Sequence, residues 1–411
     1  MRRPPEARRV APPTAGLPLR AADLLPGGDA DLEGALARYL GLDAVQLECS
    51  GTAALVIALS VLHERAPQRD TVIVPAYTCP LVALAVARCG LRLALCDLLP
   101  DSLDLDPQAL AALCDARTLA ILPTHLGGRL AAVAPARALA RACGAWLIED
   151  AAQALGARRD GRCVGADSDM AFFSLAVGKG LTLFEGGVLW VRDPALRAAC
   201  RAMAARLAPP RPLLELQRSV ELLGYAACYR PAGLPLVYGR PLRRALRSGD
   251  WVEAAGDRFD APIVLHRVGR WRRAVGVRAL ARLPLFLAAQ AGRAQRRLQR
   301  LRQIAGVRVL EDGDGEGVWP VLLLLLPTPA SRDALLRSHW GAGYGLSVPF
   351  VHALPDYAYL AGRLPLAGTP DCAQARRLAG RLLAIGNSAW LDEADFAALC
   401  VALAAACAAH G

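Results

Sequence analysis

The sequence predicts an α/β protein built on a mainly parallel sheet. Between about residues 31 and 200, short apolar runs alternate with Ala/Leu-rich helical stretches. The runs are β-branched and read as buried strands, the pattern of a parallel sheet covered by helices. With 411 residues, 54% of them hydrophobic, the chain can build a real core and exceeds one small domain.

The elements follow in order. Residues 1–28, rich in Pro, Arg and Gly, are expected to form a flexible N-terminal arm. A large domain is expected over 29–205. Its strand candidates are Val45–Glu48, Val72–Pro75, Leu91–Cys96, Thr118–Pro123 and Ala145–Ile148. Helical stretches between them include Thr52–Leu62, Pro80–Cys89, Pro107–Leu113 and Pro135–Cys143. Ligands of such sheets bind at the carboxyl ends of the strands. Residues 206–265 read as a variable basic insertion broken by Pro209, Pro210, Pro212, Pro231, Pro235 and Pro241. A long linking helix region is expected over 266–305, with its pattern running from Val275 to Ile304. Residues 306–411 read as a smaller C-terminal α/β domain. It has a strand near Val318–Leu326, a loop Ser347-Val-Pro-Phe-Val-His352 and a helix from Glu393.

The chain carries 48 basic and 37 acidic residues, a net charge of +11. Lys179 is its single lysine, so the other 47 basic residues are arginines, and Asn387 is its single asparagine. Arginine replaces lysine wherever a solvated charge suffices. It cannot replace an amine that must deprotonate and attack a carbonyl. Lys179 is therefore a candidate for covalent chemistry on composition alone. Between 205 and 300 there are 19 arginines and 6 acidic residues. This segment reads first as an Arg-biased solvated face. The alternative is contact with a diphosphate substrate or an anionic membrane surface through Arg240-Pro-Leu-Arg-Arg244 and Arg267-Val-Gly-Arg-Trp-Arg-Arg273. No nucleic-acid partner is expected, since no recognised binding module is present.

Twelve cysteines are scattered without a CxxC pair, and no His cluster has metal spacing. They read as reduced thiols of a cytoplasmic protein without a metal site. The N-terminus lacks the apolar stretch of a signal peptide. The longest purely apolar run, Val321 to Leu326, is too short to span a bilayer.

Four features fall at strand ends. Cys49-Ser-Gly-Thr-Ala-Ala54 leaves a strand and opens a helix. Ser50, Gly51, Thr52 and Ala53 there can bring backbone amides and a helix N-terminus to a phosphate. The same residues also suit a plain helix cap. In Trp146-Leu-Ile-Glu-Asp-Ala-Ala-Gln-Ala154, Asp150 ends a buried strand and can hold a pyridinium N–H, or serve as an N-cap. Gln153 can reach a ring hydroxyl. In Phe172-Phe-Ser-Leu-Ala-Val-Gly-Lys-Gly, Ser174 can bind phosphate and Lys179 stands between two glycines. Val74-Pro-Ala-Tyr-Thr-Cys-Pro80 can cover one face of a flat ring. A phosphate cradle, a carboxylate for a ring nitrogen and an amine for an aldehyde are what pyridoxal 5′-phosphate (PLP) requires. Lys179 is then the Schiff-base lysine, and Lys179 and Asp150 are the catalytic candidates.

These motifs resemble those of the DegT/DnrJ/EryC1/StrS family of PLP-dependent sugar aminotransferases, of the aspartate aminotransferase superfamily. The resemblance lies in Ser50-Gly-Thr-Ala-Ala-Leu55, Val74-Pro-Ala-Tyr-Thr78, His125-Leu-Gly-Gly128, Glu149-Asp-Ala-Ala-Gln-Ala-Leu-Gly-Ala157 and Ser174-Leu-Ala-Val-Gly-Lys-Gly-Leu-Thr-Leu-Phe-Glu-Gly-Gly187. It covers about 31–205 and resumes more loosely over 267–360. It implies PLP fold type I: a large domain with a mostly parallel seven-stranded sheet flanked by helices, plus the smaller C-terminal α/β domain. It also implies a homodimer with shared active sites, an amino acid donor such as glutamate, and a nucleotide-linked keto-sugar acceptor, in polysaccharide or secondary-metabolite biosynthesis. Family members carry an aromatic residue that stacks on the ring where this chain has Cys79, so Tyr77 is the alternative stacking residue. An Asn-x-Arg segment of the family is matched only by Arg267. Arg267, Glu185 and His352 are the substrate candidates. The competing readings are another fold type I PLP reaction and a degenerate PLP-binding regulator or scaffold.

Overall fold

A computed structural model describes residues 10–311 and 315–411. Thirteen strands and fourteen α-helices follow one another along these residues. α1 (Leu32–Leu40) leads to β1 (Gln46–Glu48), α2 (Gly51–Arg65), β2 (Thr71–Pro75), α3 (Pro80–Arg88) and β3 (Arg92–Cys96). Next come α4 (Pro107–Leu113), β4 (Thr118–Ile121), α5 (Val133–Cys143) and β5 (Trp146–Asp150). A small hairpin, β6 (Arg158–Arg159) with β7 (Arg162–Cys163), precedes β8 (Met170–Ser174) and β9 (Gly187–Val191).

The large sheet has seven strands in the order β1-β9-β8-β5-β4-β2-β3. Only β9 runs against the others, pairing antiparallel with both β1 and β8. Strands β2, β3, β4, β5 and β8 pair in parallel. Their residues are almost all buried, because helices cover both faces. The chain leaves β2 toward β3, then crosses back to place β4 on the other side of β2. That reversal opens a crevice beyond the carboxyl ends of β2 and β4.

The second sheet has four strands in the order β10-β11-β13-β12, all antiparallel: β10 (Arg308–Leu310), β11 (Val321–Leu325), β12 (Leu346–Ser347) and β13 (Leu382–Gly386). Helices α12 (Pro329–His339), α13 (Ala373–Arg381) and α14 (Glu393–His410) complete this part. α14 is long and apolar enough to cross a membrane by length and composition, but Phe396, Leu399, Leu403 and Cys407 pack into the core of this second sheet.

The N-terminal segment departs from the flexible arm expected at 1–28. Residues 1–9 lie outside the described residues. From residue 10 on the chain is pinned: Val10, Ala11, Ala15, Leu17 and Leu19 are buried. Arginines hold its backbone. Arg230 donates to the carbonyl of Leu19, Arg282 to that of Pro18, and Arg278 to those of Asp23 and Gly27. Asp23 also pairs with Arg282. Prolines and glycines in this segment remove few hydrogen bonds, because arginine side chains supply the donors.

Most arginines of the basic segment are exposed or half-buried, as a solvated face requires, with two exceptions. Arg272 and Arg297 are fully buried. Arg272 pairs with Glu215 and donates to the carbonyls of Leu183 and Glu185; Arg297 donates to those of Ser388 and Leu391. Three of its prolines, Pro212, Pro235 and Pro241, lie at helix starts, while Pro209, Pro210 and Pro231 lie in the breaks between helices. After α6 (Pro194–Leu207), Pro212 opens α7 (Pro212–Cys228) and Pro241 lies in the first turn of α8 (Arg240–Arg247), followed by α9 (Trp251–Ala255). The single long helix expected over Val275–Ile304 is two helices, α10 (Arg270–Leu280) and α11 (Leu283–Leu301), bent by 54°. Pro284 has no N–H to donate to the preceding turn, so the helix breaks there.

Candidate active site

β1, β2, β4, β5 and β8 deliver their carboxyl ends to one cavity of about 450 Å³. Ser50, Gly51, Thr52, Cys79, Asp150, Gln153, Ser174, Lys179 and Glu185 all line it. These nine come from four separate motifs spread over 136 positions of sequence, and the sheet order brings them together.

The phosphate end is built by the start of α2. Ser50 has an extended backbone and its hydroxyl accepts from the Ala53 amide at 3.0 Å. That cap uses the Ala53 amide, and Ala53 itself is buried and is not among the residues lining the cavity. The first-turn amides of Gly51 and Thr52 have no partner within the helix. The helix dipole makes this end attractive to an anion. Glycine is required at 187, because a β-carbon there would lie 2.2 Å from the Ser50 carbonyl. Ser174 ends β8 beside this turn, its hydroxyl accepting from the Ala176 amide at 3.3 Å.

Asp150 ends β5 and is 4% exposed. Its Oδ1 accepts from the Ala152 amide at 3.0 Å, and Oδ2 makes no hydrogen bond among the described residues. Burial pushes its carboxyl up to about 6, against the pull of Lys179. A ring N–H is the partner this geometry lacks. Gln153 has its carbonyl oxygen fixed by the Gly127 amide at 2.7 Å, which leaves its NH₂ as a donor toward the cavity.

Lys179 sits in the loop between β8 and β9. Gly178 before it has φ +77, and a β-carbon there would strike the Thr14 hydroxyl at 2.2 Å. The loop is tied by the Leu183 amide to the Leu175 carbonyl at 2.9 Å and by the Thr182 hydroxyl, which accepts from the Phe184 amide at 3.0 Å. Desolvation holds the Lys179 amine below its ordinary value, although Asp150 and Cys79 oppose this. A lowered pKa is what an amine nucleophile needs. Burial pushes the Cys79 thiol up to about 12, so it meets the cavity as a neutral group.

The cavity also contains residues to which the sequence had assigned no role. Thr78 and Thr124, from the ends of β2 and β4, approach each other at 3.4 Å. His125 is fully buried. Its Nδ1 accepts from the Ala131 amide at 3.0 Å, so Nε2 donates to Glu149 at 2.8 Å. Burial would raise Glu149, but His125, Ser168 and the Gly165 amide hold its carboxyl below the ordinary value. Asp257, Phe259 and Phe350 enter from the second half of the chain. Burial pushes the Asp257 carboxyl up to about 6. Asp257 stands among other nearby acids, Asp250, Glu253 and Asp260, so the sequence carried no distinct signal for it.

Three of the expected site residues lie outside this cavity. Tyr77 is 2% exposed and its hydroxyl donates to the Phe350 carbonyl at 2.8 Å, while accepting from the Phe350 amide at 3.1 Å. It braces the second half of the chain and does not line the cavity as a stacking ring. Arg267 lines a separate cavity of about 330 Å³ with Glu48 and Arg201, its Nε donating to the Ala208 carbonyl. His352 packs edge-on against Tyr357, 5.2 Å between ring centroids, and is absent from the cavity wall. Glu185 does line the cavity. Its carboxylate lies 2.5 Å from Arg218 and 3.8 Å from His266, and Arg218 and His266 hold it below its ordinary value against the effect of burial.

The model of the DegT/DnrJ/EryC1/StrS aminotransferase family matches residues 28–209. Among curated relatives, GDP-perosamine synthase of Caulobacter vibrioides is 36% identical over 173 residues, 42% of this chain and 46% of the relative. L-glutamine:2-deoxy-scyllo-inosose aminotransferase of Streptomyces fradiae is 32% identical over 251 residues, 54% of this chain and 58% of the relative. The chain thus spans between about two fifths and three fifths of the length of such relatives. Among solved structures, S. venezuelae DesV in complex with a ketimine intermediate superposes with a TM-score of 0.68 at 26% identity, covering 94% of this chain and 90% of that one. The aminotransferase PseC of Helicobacter pylori gives 0.74 at 15% identity, covering 98% and 100%. The fold is that of the PLP fold type I aminotransferases.

Proposed function

We propose, from the membership of residues 28–209 in the DegT/DnrJ/EryC1/StrS aminotransferase family, that this chain is a PLP-dependent aminotransferase. It moves an amino group from an amino acid to the keto group of a sugar or cyclitol. The observation that carries the reading is the cavity itself. The only lysine of the chain, a buried aspartate with one unpartnered oxygen and the open amides of a helix N-terminus share it.

When bound, PLP supplies an aldehyde that captures an amine and a ring that accepts electrons. The first-turn amides of Gly51 and Thr52, with the hydroxyls of Thr52 and Ser174, hold the phosphate. The Asp150 carboxylate keeps the proton on the ring nitrogen, and the Gln153 NH₂ donates to the ring hydroxyl. Lys179, whose amine desolvation holds below its ordinary value, would hold the cofactor through its aldehyde carbon, with loss of water. The same amine, when free, would carry the proton at the substrate carbon. Phe350, held by Tyr77, and Phe259 keep water from this end of the cavity.

A homodimer belongs to the same reading, and Leu213, Leu216, Val220 and Leu223 form an exposed apolar stripe on α7 that can support it. A cytoplasmic location accords with twelve free thiols. The purified protein, loaded with PLP and given glutamate or glutamine, should yield the amine form of the cofactor on chromatography. A keto sugar or keto cyclitol should then restore the aldehyde form. No amine form with either donor would overturn the reading. Sedimentation should give twice the mass of one chain.

A further inference from the structure

Asp257 follows α9, in a segment that the family match to 28–209 does not reach, yet it lines the same cavity as Lys179 and Asp150. The residue is 3% exposed. Its Oδ2 is fully used: it accepts from the Tyr357 hydroxyl at 2.7 Å and from the Val351 amide at 2.8 Å. Its Oδ1 makes no hydrogen bond among the described residues and is not sealed in by protein. The backbone is fixed as well. The Tyr359 hydroxyl donates to the Asp257 carbonyl at 2.6 Å, and Gly256, at φ +75, closes α9 just before it.

A carboxylate locked on one side and bare on the other presents an oriented acceptor to whatever fills the cavity. Phe259 and Phe350 line the cavity too, and apolar walls strengthen its field. Its sign attracts hydroxyl and ammonium donors and disfavours a phosphate or carboxylate placed directly against Oδ1.

We propose that Asp257 is a specificity-determining residue for the amino acceptor and its aminated product. Its Oδ1 accepts hydrogen bonds from the hydroxyl and ammonium groups of an unphosphorylated polyhydroxy ring. This rests on the aminotransferase reading and narrows its substrate class.

Asp257→Asn separates recognition from structure. Its amide oxygen can take the place of Oδ2 and keep both bonds to Tyr357 and Val351, while its NH₂ replaces the bare acceptor with a donor. Tyr357→Phe does the converse, loosening the latch and leaving Oδ1 in place. Calorimetric titration of the PLP-loaded full chain would use scyllo-inosamine as the probe and UDP as the phosphorylated comparison. Wild type should bind scyllo-inosamine more tightly than UDP. Asp257→Asn should raise the scyllo-inosamine Kd about tenfold or more, with the visible absorbance and Tm held at wild-type values. Tyr357→Phe should lower Tm and raise that Kd by less than about threefold. The proposal falls if Asp257→Asn leaves the Kd unchanged, if Tyr357→Phe matches its loss, or if wild type prefers UDP. Should Asp257→Asn fail to fold, the wild-type preference between the two probes decides alone. A wild-type protein without the visible absorbance of bound PLP would sink the aminotransferase reading instead, before any probe is added.

Discussion

The carbonyl of Lys179 lies against Gly16, so closely that a β-carbon on residue 16 would sit 2.6 Å from that oxygen. The N-terminal segment is thereby part of the lysine loop's support, with the Leu17 amide bonded to the Gly180 carbonyl at 3.1 Å. Gly16→Ala must push the loop or the segment aside, at a cost of about 1–3 kcal/mol. PLP affinity should fall roughly tenfold by absorbance titration, and Tm should drop. Unchanged PLP affinity would show that the segment does not support the loop.

Asp150 makes stability depend on pH before cofactor is added. Burial raises its carboxyl to about 6, above the value near 4 of the unfolded chain. The folded protein therefore keeps a proton that the unfolded chain has released. This contribution is fully present below about pH 4 and is lost as the pH rises through about 6. In the PLP-free protein, Asp150→Asn should gain about 2 kcal/mol relative to wild type between about pH 4.5 and pH 7.5. Urea unfolding at the two pH values measures it. A constant difference would mean that Asp150 is not held neutral by burial.

Ser50 and Ser174 should separate by role. Ser50→Ala removes the cap on α2 and should cost about 1 kcal/mol of stability. Ser174→Ala should leave Tm nearly unchanged in the PLP-free protein and weaken PLP binding about tenfold. Equal losses of PLP affinity in both variants would contradict this division.

Tyr77→Phe tests the brace. Removing the hydroxyl leaves the Phe350 amide and carbonyl without their partner. Stability should fall by about 1–3 kcal/mol in denaturant unfolding. The visible absorbance of bound PLP should keep its position and its affinity. A shifted band would mean that the Tyr77 ring does touch the cofactor.

Much of the large sheet was legible because its strands are short, continuous apolar runs between turn residues. Val72–Pro75 and Leu91–Cys96 lie within one residue of the observed β2 and β3, and the last helix begins at Glu393 as expected. The lysine, aspartate and Ser-Gly-Thr motifs were legible because each marks the end of a strand, where a parallel sheet collects its ligands. Other features leave no local pattern. The N-terminal segment is held by Arg230, Arg278 and Arg282 from more than two hundred residues away, and a side chain reaching a carbonyl has no periodicity. Tyr77 and Asp257 depend on partners in the second half of the chain, Phe350 and Tyr357, so their orientation follows from tertiary packing alone.

Lys179 offers the most direct test, since the chain has no second lysine to confuse the result. The PLP-loaded protein would be reduced with borohydride, digested and mapped by mass spectrometry. The cofactor mass should be found on the peptide carrying Lys179, and Lys179→Arg should lose both that label and the visible absorbance. A label elsewhere, or a Lys179→Arg protein that keeps the absorbance and still transfers amino groups, would contradict the account.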